Sequence, residues 1–85
     1  MVAKTLTTDR HAALIKMLIE ARERAGLTQT EYAKQLGEYQ SYVARLESGQ
    51  RRVDVVELIA FSSILGVDPV EMVRHLQEDI HESDS

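Results

Sequence analysis

The segment from Arg22 to Gly49, RERAGLTQTEYAKQLGEYQSYVARLESG, constrains this chain more than any other, because it encodes two short helices on either side of Gly37 with a tight turn between them. Thr28 followed by Glu31 is a capping box: the Thr28 hydroxyl accepts the Glu31 backbone N–H, and the Glu31 carboxylate reaches back to the N–H of Thr28. A helix therefore starts at Gln29, with Tyr32, Ala33 and Leu36 on one apolar face and Gly37 supplying the left-handed conformation that ends it. The spacing predicts a second helix from about Gln40 to Ser48, with Val43 and Leu46 inward and Gly49 as its stop. Ser41, Ala44, Arg45 and Ser48 then share the opposite face, which is small, polar and carries one cation.

Neither helix holds alone, since isolated helices shorter than roughly 12 to 15 residues are marginal in water. They need a platform, and Leu14, Ile15, Leu18 and Ile19 form a helical apolar stripe in the segment before them. Arg22 falls on that same stripe, where a cation requires a partner. Glu47 is the matching anomaly at the inner edge of the second helix, so an Arg22–Glu47 ion pair is expected to tie the platform to it. Two short helices joined by a turn and backed by a third are the pattern of a helix-turn-helix, which offers its second helix to the DNA major groove. Its expected extent is about residues 28–48.

The chain resembles the Cro and lambda-repressor-type helix-turn-helix family, the XRE-like regulators, over about Leu14 to Val73. The resemblance rests on R-x-x-x-G-L-T-Q at Arg22 to Gln29, Q-S-Y-V-A-R-L-E-S-G at Gln40 to Gly49, and L-I-x-x-x-x-x-L-G-V-D-P at Leu58 to Pro69. It implies an all-α, five-helix lambda-repressor-like DNA-binding domain that acts as a transcriptional regulator. By the same resemblance Arg22 and Glu47 match the family's structural ion pair, and Gln29 and Gln40 match positions that contact the DNA backbone and base edges. The expected DNA-facing set is Thr28, Gln29, Tyr39, Gln40, Ser41, Ala44, Arg45, Arg51 and Arg52. Two positions depart from the family pattern. Tyr39 stands where Ser or Thr commonly caps the second helix, and Val53 stands where many relatives have Pro after a basic pair.

A net charge of −4 opposes a nucleic-acid partner until its placement is considered. Residues 1–21 carry Lys4, Arg10 and Lys16 against Asp9 and Glu20, net +1, and residues 22–52 are net +2. Residues 53–85 are net −7, with Arg74 as their one Lys or Arg. Arg45, Arg51 and Arg52 thus cluster at the expected DNA face, while the acidic back half points away and suppresses non-specific binding. The tail at 77–85 reads as a solvated charge run.

The remaining segments read as support for the pair. Asp54 with Glu57 opens a helix through Leu65, stopped by Gly66, and Asp68, Pro69 and Glu71 open a last helix to about Ile80. The fourth helix is apolar on two sides: Leu58, Ile59 and Leu65 are expected on one face, Ala60, Phe61 and Ile64 on another. One face serves the core. The other is expected to form a homodimer interface from Phe61, Ile64, Val73, Leu76 and Ile80, because large exposed apolar patches usually mark interfaces.

At 85 residues the chain is expected to be a single domain with one core. Cysteine is absent, and MVAKTLTTDRH lacks an apolar signal core, so a cytoplasmic protein with no membrane partner is expected. His11, His75 and His81 lack metal-ligand spacing, Ser62 and Ser63 lie within a helix and are expected to pack against the first one, and no phosphate-binding glycine loop occurs. Neither an enzyme nor a cofactor is expected. Double-stranded DNA is the expected partner, bound at an inverted repeat. The alternatives are an antitoxin-like regulator that also binds a partner protein, and an interaction module of the same fold without DNA binding.

Overall fold

A computed structural model describes residues 8–79 of the chain. Helix α1 (Asp9–Arg24) begins at Thr8, whose hydroxyl accepts the His11 N–H at 3.1 Å. It is followed by α2 (Gln29–Leu36), α3 (Gln40–Glu47), α4 (Val55–Leu65) and α5 (Pro69–Asp79). Among the described residues there are five helices and no strand, as the all-α expectation requires. Ile80 and His81, with the rest of the tail beyond Asp79, lie outside the described residues.

The start signals act as their chemistry dictates. Thr28 accepts from the Glu31 N–H at 3.1 Å while Glu31 accepts from the Thr28 N–H at 2.9 Å, and Asp54 and Glu57 repeat the exchange at 2.7 and 3.0 Å. Gly37 closes α2 with φ +75°, a conformation that costs other residues steric energy. Its N–H reaches Lys34 O and the next N–H, of Glu38, reaches Ala33 O, so two carbonyls at the helix end are satisfied. The chain is thereby turned from α2 into α3 within three residues, Gly37 to Tyr39.

One core joins all five helices. Ile15, Leu18 and Ala21 of α1 meet Tyr32 and Ala33 of α2, Val43 and Leu46 of α3, Leu58, Phe61 and Leu65 of α4, and Met72 of α5. The rings of Tyr32 and Phe61 pack edge to face at 6.2 Å. Val53 is half-buried against this core and anchors the loop by packing. No helix among the described residues is long and apolar enough to cross a membrane.

Helix α4 divides differently from the expectation. Its buried residues are Leu58, Phe61, Ser62 and Leu65, which follow i, i+3, i+4, i+7, whereas Ile59, expected with Leu58 and Leu65, is 55% exposed. Phe61, expected at a dimer interface, is 1% exposed and belongs to the core. The cause is physical: a helix apolar all round has no preferred inward side of its own, so its neighbours α1, α2 and α5 choose it. Ser62 is buried on this side too, and its hydroxyl donates to Met72 Sδ on α5 at 3.9 Å.

Candidate nucleic-acid interface

The site is built on α2 and α3, which hold one another, with α3 resting on α1. The Arg22 guanidinium forks onto the Glu47 carboxylate, Nε to Oε2 at 2.7 Å and Nη2 to Oε1 at 3.0 Å, with the two side chains 13% and 6% exposed. Its third nitrogen, Nη1, donates to Leu27 O at 2.8 Å. Charge-assisted pairing at this geometry is among the stronger hydrogen bonds a protein makes, and it holds the Arg22 proton above its ordinary range, chiefly through Glu47. The pair fixes the C-terminal end of α3 to the C-terminal end of α1.

Glu47 does more than receive Arg22. Its Oε1 also accepts the Gln29 side-chain amide at 2.9 Å, and Gln29 Oε1 accepts the Gln40 amide at 2.8 Å. An ionised carboxylate only accepts, so Gln29 must aim its nitrogen at Glu47 and its oxygen at Gln40, and Gln40 must answer with its nitrogen. One buried charge therefore sets the orientation of two amides in series. Gln40, at the first position of α3, is left with its oxygen and one N–H unused among the described residues.

The other expected site residues are distributed along the same edge. Tyr39 is the N-cap of α3, makes no side-chain capping bond and is 83% exposed. Ser41, Arg45 and Arg52 are exposed and Ala44 is half-buried, while Thr28 is exposed with its hydroxyl engaged in the α2 cap. Arg51 departs from the others. Its Nη2 lies 2.7 Å from Glu57 Oε2, its Nη1 donates to the Tyr42 hydroxyl at 3.4 Å, and its guanidinium carbon stands 4.8 Å from the centre of the Tyr42 ring.

The expected interface residues separate too. Val73 is half exposed on α5, Ile64 and Leu76 are half-buried, Phe61 is buried and Ile80 lies outside the described residues. What the surface does present is an open groove of about 510 Å³ between α4 and α5, lined by Val55, Ile59, Val70 and Val73 over Leu58 and Pro69. Sequence reasoning missed Val55, Ile59 and Val70, and also the contacts Gln29–Glu47 and Arg51–Glu57. For the last a signal existed: a capping glutamate uses one oxygen on its own helix and leaves the other for a nearby cation.

The helix-turn-helix family model matches residues 18–72. The chain is 39% identical over 57 residues, 67% of its length and 74% of the relative's, to the uncharacterized HTH-type transcriptional regulator y4dJ of Sinorhizobium fredii (strain NBRC 101917 / NGR234). Its fold is similar to that of an XRE-family like protein from Pseudomonas syringae pv. tomato str. DC3000, with a TM-score of 0.81 at 39% identity over 93% of this chain and 96% of that one. It is also similar to the restriction-modification controller protein C.AhdI from Aeromonas hydrophila, with a TM-score of 0.62 at 36% identity over 75% of this chain and 97% of that one. With the family model covering residues 18–72 and relatives of this identity and coverage, the chain belongs to the XRE-type helix-turn-helix family of DNA-binding transcriptional regulators, the Cro and lambda-repressor-type fold.

Proposed function

We propose that the chain is a sequence-specific regulator that binds an inverted-repeat operator as a homodimer, with α3 in the major groove of each half-site. The family is one of DNA-binding regulators and not a class of enzymes. The observation that carries the finer reading is the relay from Arg22 through Glu47 and Gln29 to Gln40. It presents one amide, already oriented by a buried charge, at the exposed start of α3. The acceptor and donor that Gln40 has left match the N6 donor and N7 acceptor of adenine. Arg45, exposed further along α3 and without a side-chain partner among the described residues, suits guanine. Tyr39 and Ser41 flank them, Ala44 is small enough to admit a thymine methyl, and Arg52 and Thr28 suit phosphate oxygens.

The test is a selection of bound duplexes from a random pool, followed by affinities for the recovered operator and for random DNA. Arg45→Ala should cost about 1–3 kcal/mol on the operator and relax specificity at one position. Arg52→Ala should weaken binding to both duplexes alike and flatten the salt dependence. Equal losses on operator and random DNA for Arg45→Ala would sink the base-reading role.

For the dimer, the groove between α4 and α5 supports a second copy as occupant. Val55, Ile59, Val70 and Val73 are between 50% and 72% exposed, and they form one patch rather than scattered residues. Arg74 and Glu78 stand on the same groove, so a two-fold axis passing midway between them would bring charges of opposite sign face to face.

A further inference from the structure

Arg51 lies in the loop that leaves α3, in a stretch whose basic residues invite assignment to the DNA backbone. Its surroundings assign it elsewhere. The guanidinium has a carboxylate at 2.7 Å, a tyrosine hydroxyl at 3.4 Å and an aromatic ring at 4.8 Å from its carbon. Each partner belongs to a different helix terminus or face: Tyr42 to α3, Glu57 to the first turn of α4. The Tyr42 hydroxyl donates in turn to Glu57 Oε2 at 3.3 Å, which closes a triangle. Glu57 is itself immobilised, since Oε1 accepts the Asp54 N–H at 3.0 Å and its own N–H donates to Asp54 Oδ1 at 2.7 Å.

We propose that Arg51 is a positioning residue that clamps the recognition helix α3 to the start of α4 through Tyr42 and Glu57, and that it does not serve as a phosphate ligand. The inference rests on the DNA-binding reading above. A cation that left this triangle for a phosphate would abandon a partly shielded carboxylate and leave Glu57 ionised beside the DNA. Two exposures decide the point: the Arg51 and Glu57 side chains are 29% and 24% exposed, so water screens the pair only in part. The Arg51 hydrogen bond holds the Glu57 carboxyl below the ordinary glutamate range, and the same bond holds Arg51 above its own. The ring of Tyr42 favours a flat cation, and Lys cannot reproduce that stacking together with a forked bond.

The clamp has a mechanical consequence. The face of α3 that carries Gln40 and Arg45 is held at one end by Glu47 on Arg22 and along its side by Tyr42 on the Arg51–Glu57 pair. Removing the second restraint lets the reading face tilt about the first. Loss of the clamp should therefore appear as weaker operator binding without the loss of a counterion.

The test uses the full chain with the operator recovered by duplex selection, measured from roughly 50 to 200 mM salt. The variants are Arg51→Lys, Arg51→Gln, Glu57→Gln and the Arg51→Gln/Glu57→Gln double, with Arg52→Gln as the phosphate control. Each must retain a cooperative melt above the assay temperature; Arg51→Lys keeps the charge and suffices if the others fail to fold. The clamp predicts that Arg51→Lys and Arg51→Gln both weaken operator binding several-fold with the wild-type salt slope. Glu57→Gln should weaken it as well, although removing a negative charge near DNA would by charge alone tighten binding, and the double should be no worse than either single. Arg52→Gln should lower the slope by about 0.9. A phosphate role predicts the reverse: full affinity for Arg51→Lys, a shallower slope for Arg51→Gln and tighter binding for Glu57→Gln, and any of these overturns the proposal. A wild-type chain that retains no duplex at the lowest salt would overturn the DNA-binding reading itself, and this assignment with it.

Discussion

Tyr32 is the largest fully buried side chain among the described residues, and its hydroxyl has no hydrogen-bond partner among them. Burial pushes its ionisation well above the usual tyrosine range, so the phenol stays neutral, yet a neutral unpaired hydroxyl still costs about 1–3 kcal/mol of desolvation. Tyr32→Phe keeps the ring edge on Phe61 and removes that cost. It should raise stability by about 1 kcal/mol in denaturant melts, and a comparable loss would mean the hydroxyl is bonded after all. Arg22 and Glu47 are the opposite case, a polar group buried with every charge answered. Removing either partner strands the other at 13% or 6% exposure, so Arg22→Ala and Glu47→Ala should each destabilise by about 3–5 kcal/mol. The double variant should lose far less than the sum of the two, because the second change removes the stranded charge left by the first. Additive losses would show that the two side chains do not interact.

Helix α3, which the proposed reading places in the major groove, has the weakest start of the elements around it. The helices α1, α2 and α4 open with an oxygen side chain accepting an orphan N–H, whereas α3 opens at Tyr39, which offers none. Tyr39→Ser should therefore stabilise the fold by about 1 kcal/mol, and since the ring is 83% exposed the packing lost is small. The same substitution should weaken operator binding if the ring meets the groove, so stability and affinity should move in opposite directions when melts and binding are measured together. That start signal, like those of α2 and α4, was legible in the sequence because capping is local chemistry between residues three apart. The Arg22–Glu47 contact was legible for a related reason: each charge stood on an apolar stripe, and such anomalies seek one another. The inward side of α4 was not legible, since Ile59, Phe61 and Ile64 are equally apolar and only the neighbouring helices distinguish them. The surroundings of Arg51 were not legible in the run Gln50-Arg51-Arg52 itself, which does not say that one of its cations turns back onto Tyr42.

At the scale of the whole molecule the reading face is too small to work alone. One recognition helix contacts only a few base pairs, and the described residues offer one such helix. The proposed homodimer answers this by holding two copies at a fixed separation, with recognition helices about 34 Å apart on successive major grooves. The groove of Val55, Ile59, Val70 and Val73 is the proposed contact, and its residues belong to α4 and α5 rather than to α2 and α3, so pairing there leaves α3 free for DNA. Phe61, at 1% exposure, belongs to the core and offers no surface of the single chain to such a contact. Sedimentation at micromolar concentration should give twice the 9.6 kDa chain mass. Ile59→Asp with Val73→Asp replaces side chains that are 55% and 50% exposed in the single chain, so the fold should survive while the interface does not. The expected result is a folded monomer with strongly reduced operator affinity but unchanged affinity for a single half-site, because each α3 and its Gln40 relay remain intact. A wild-type chain that stays monomeric both free and on DNA would remove the dimer and leave the groove to a different protein. A variant that still sediments at twice the chain mass would instead move the interface to another face.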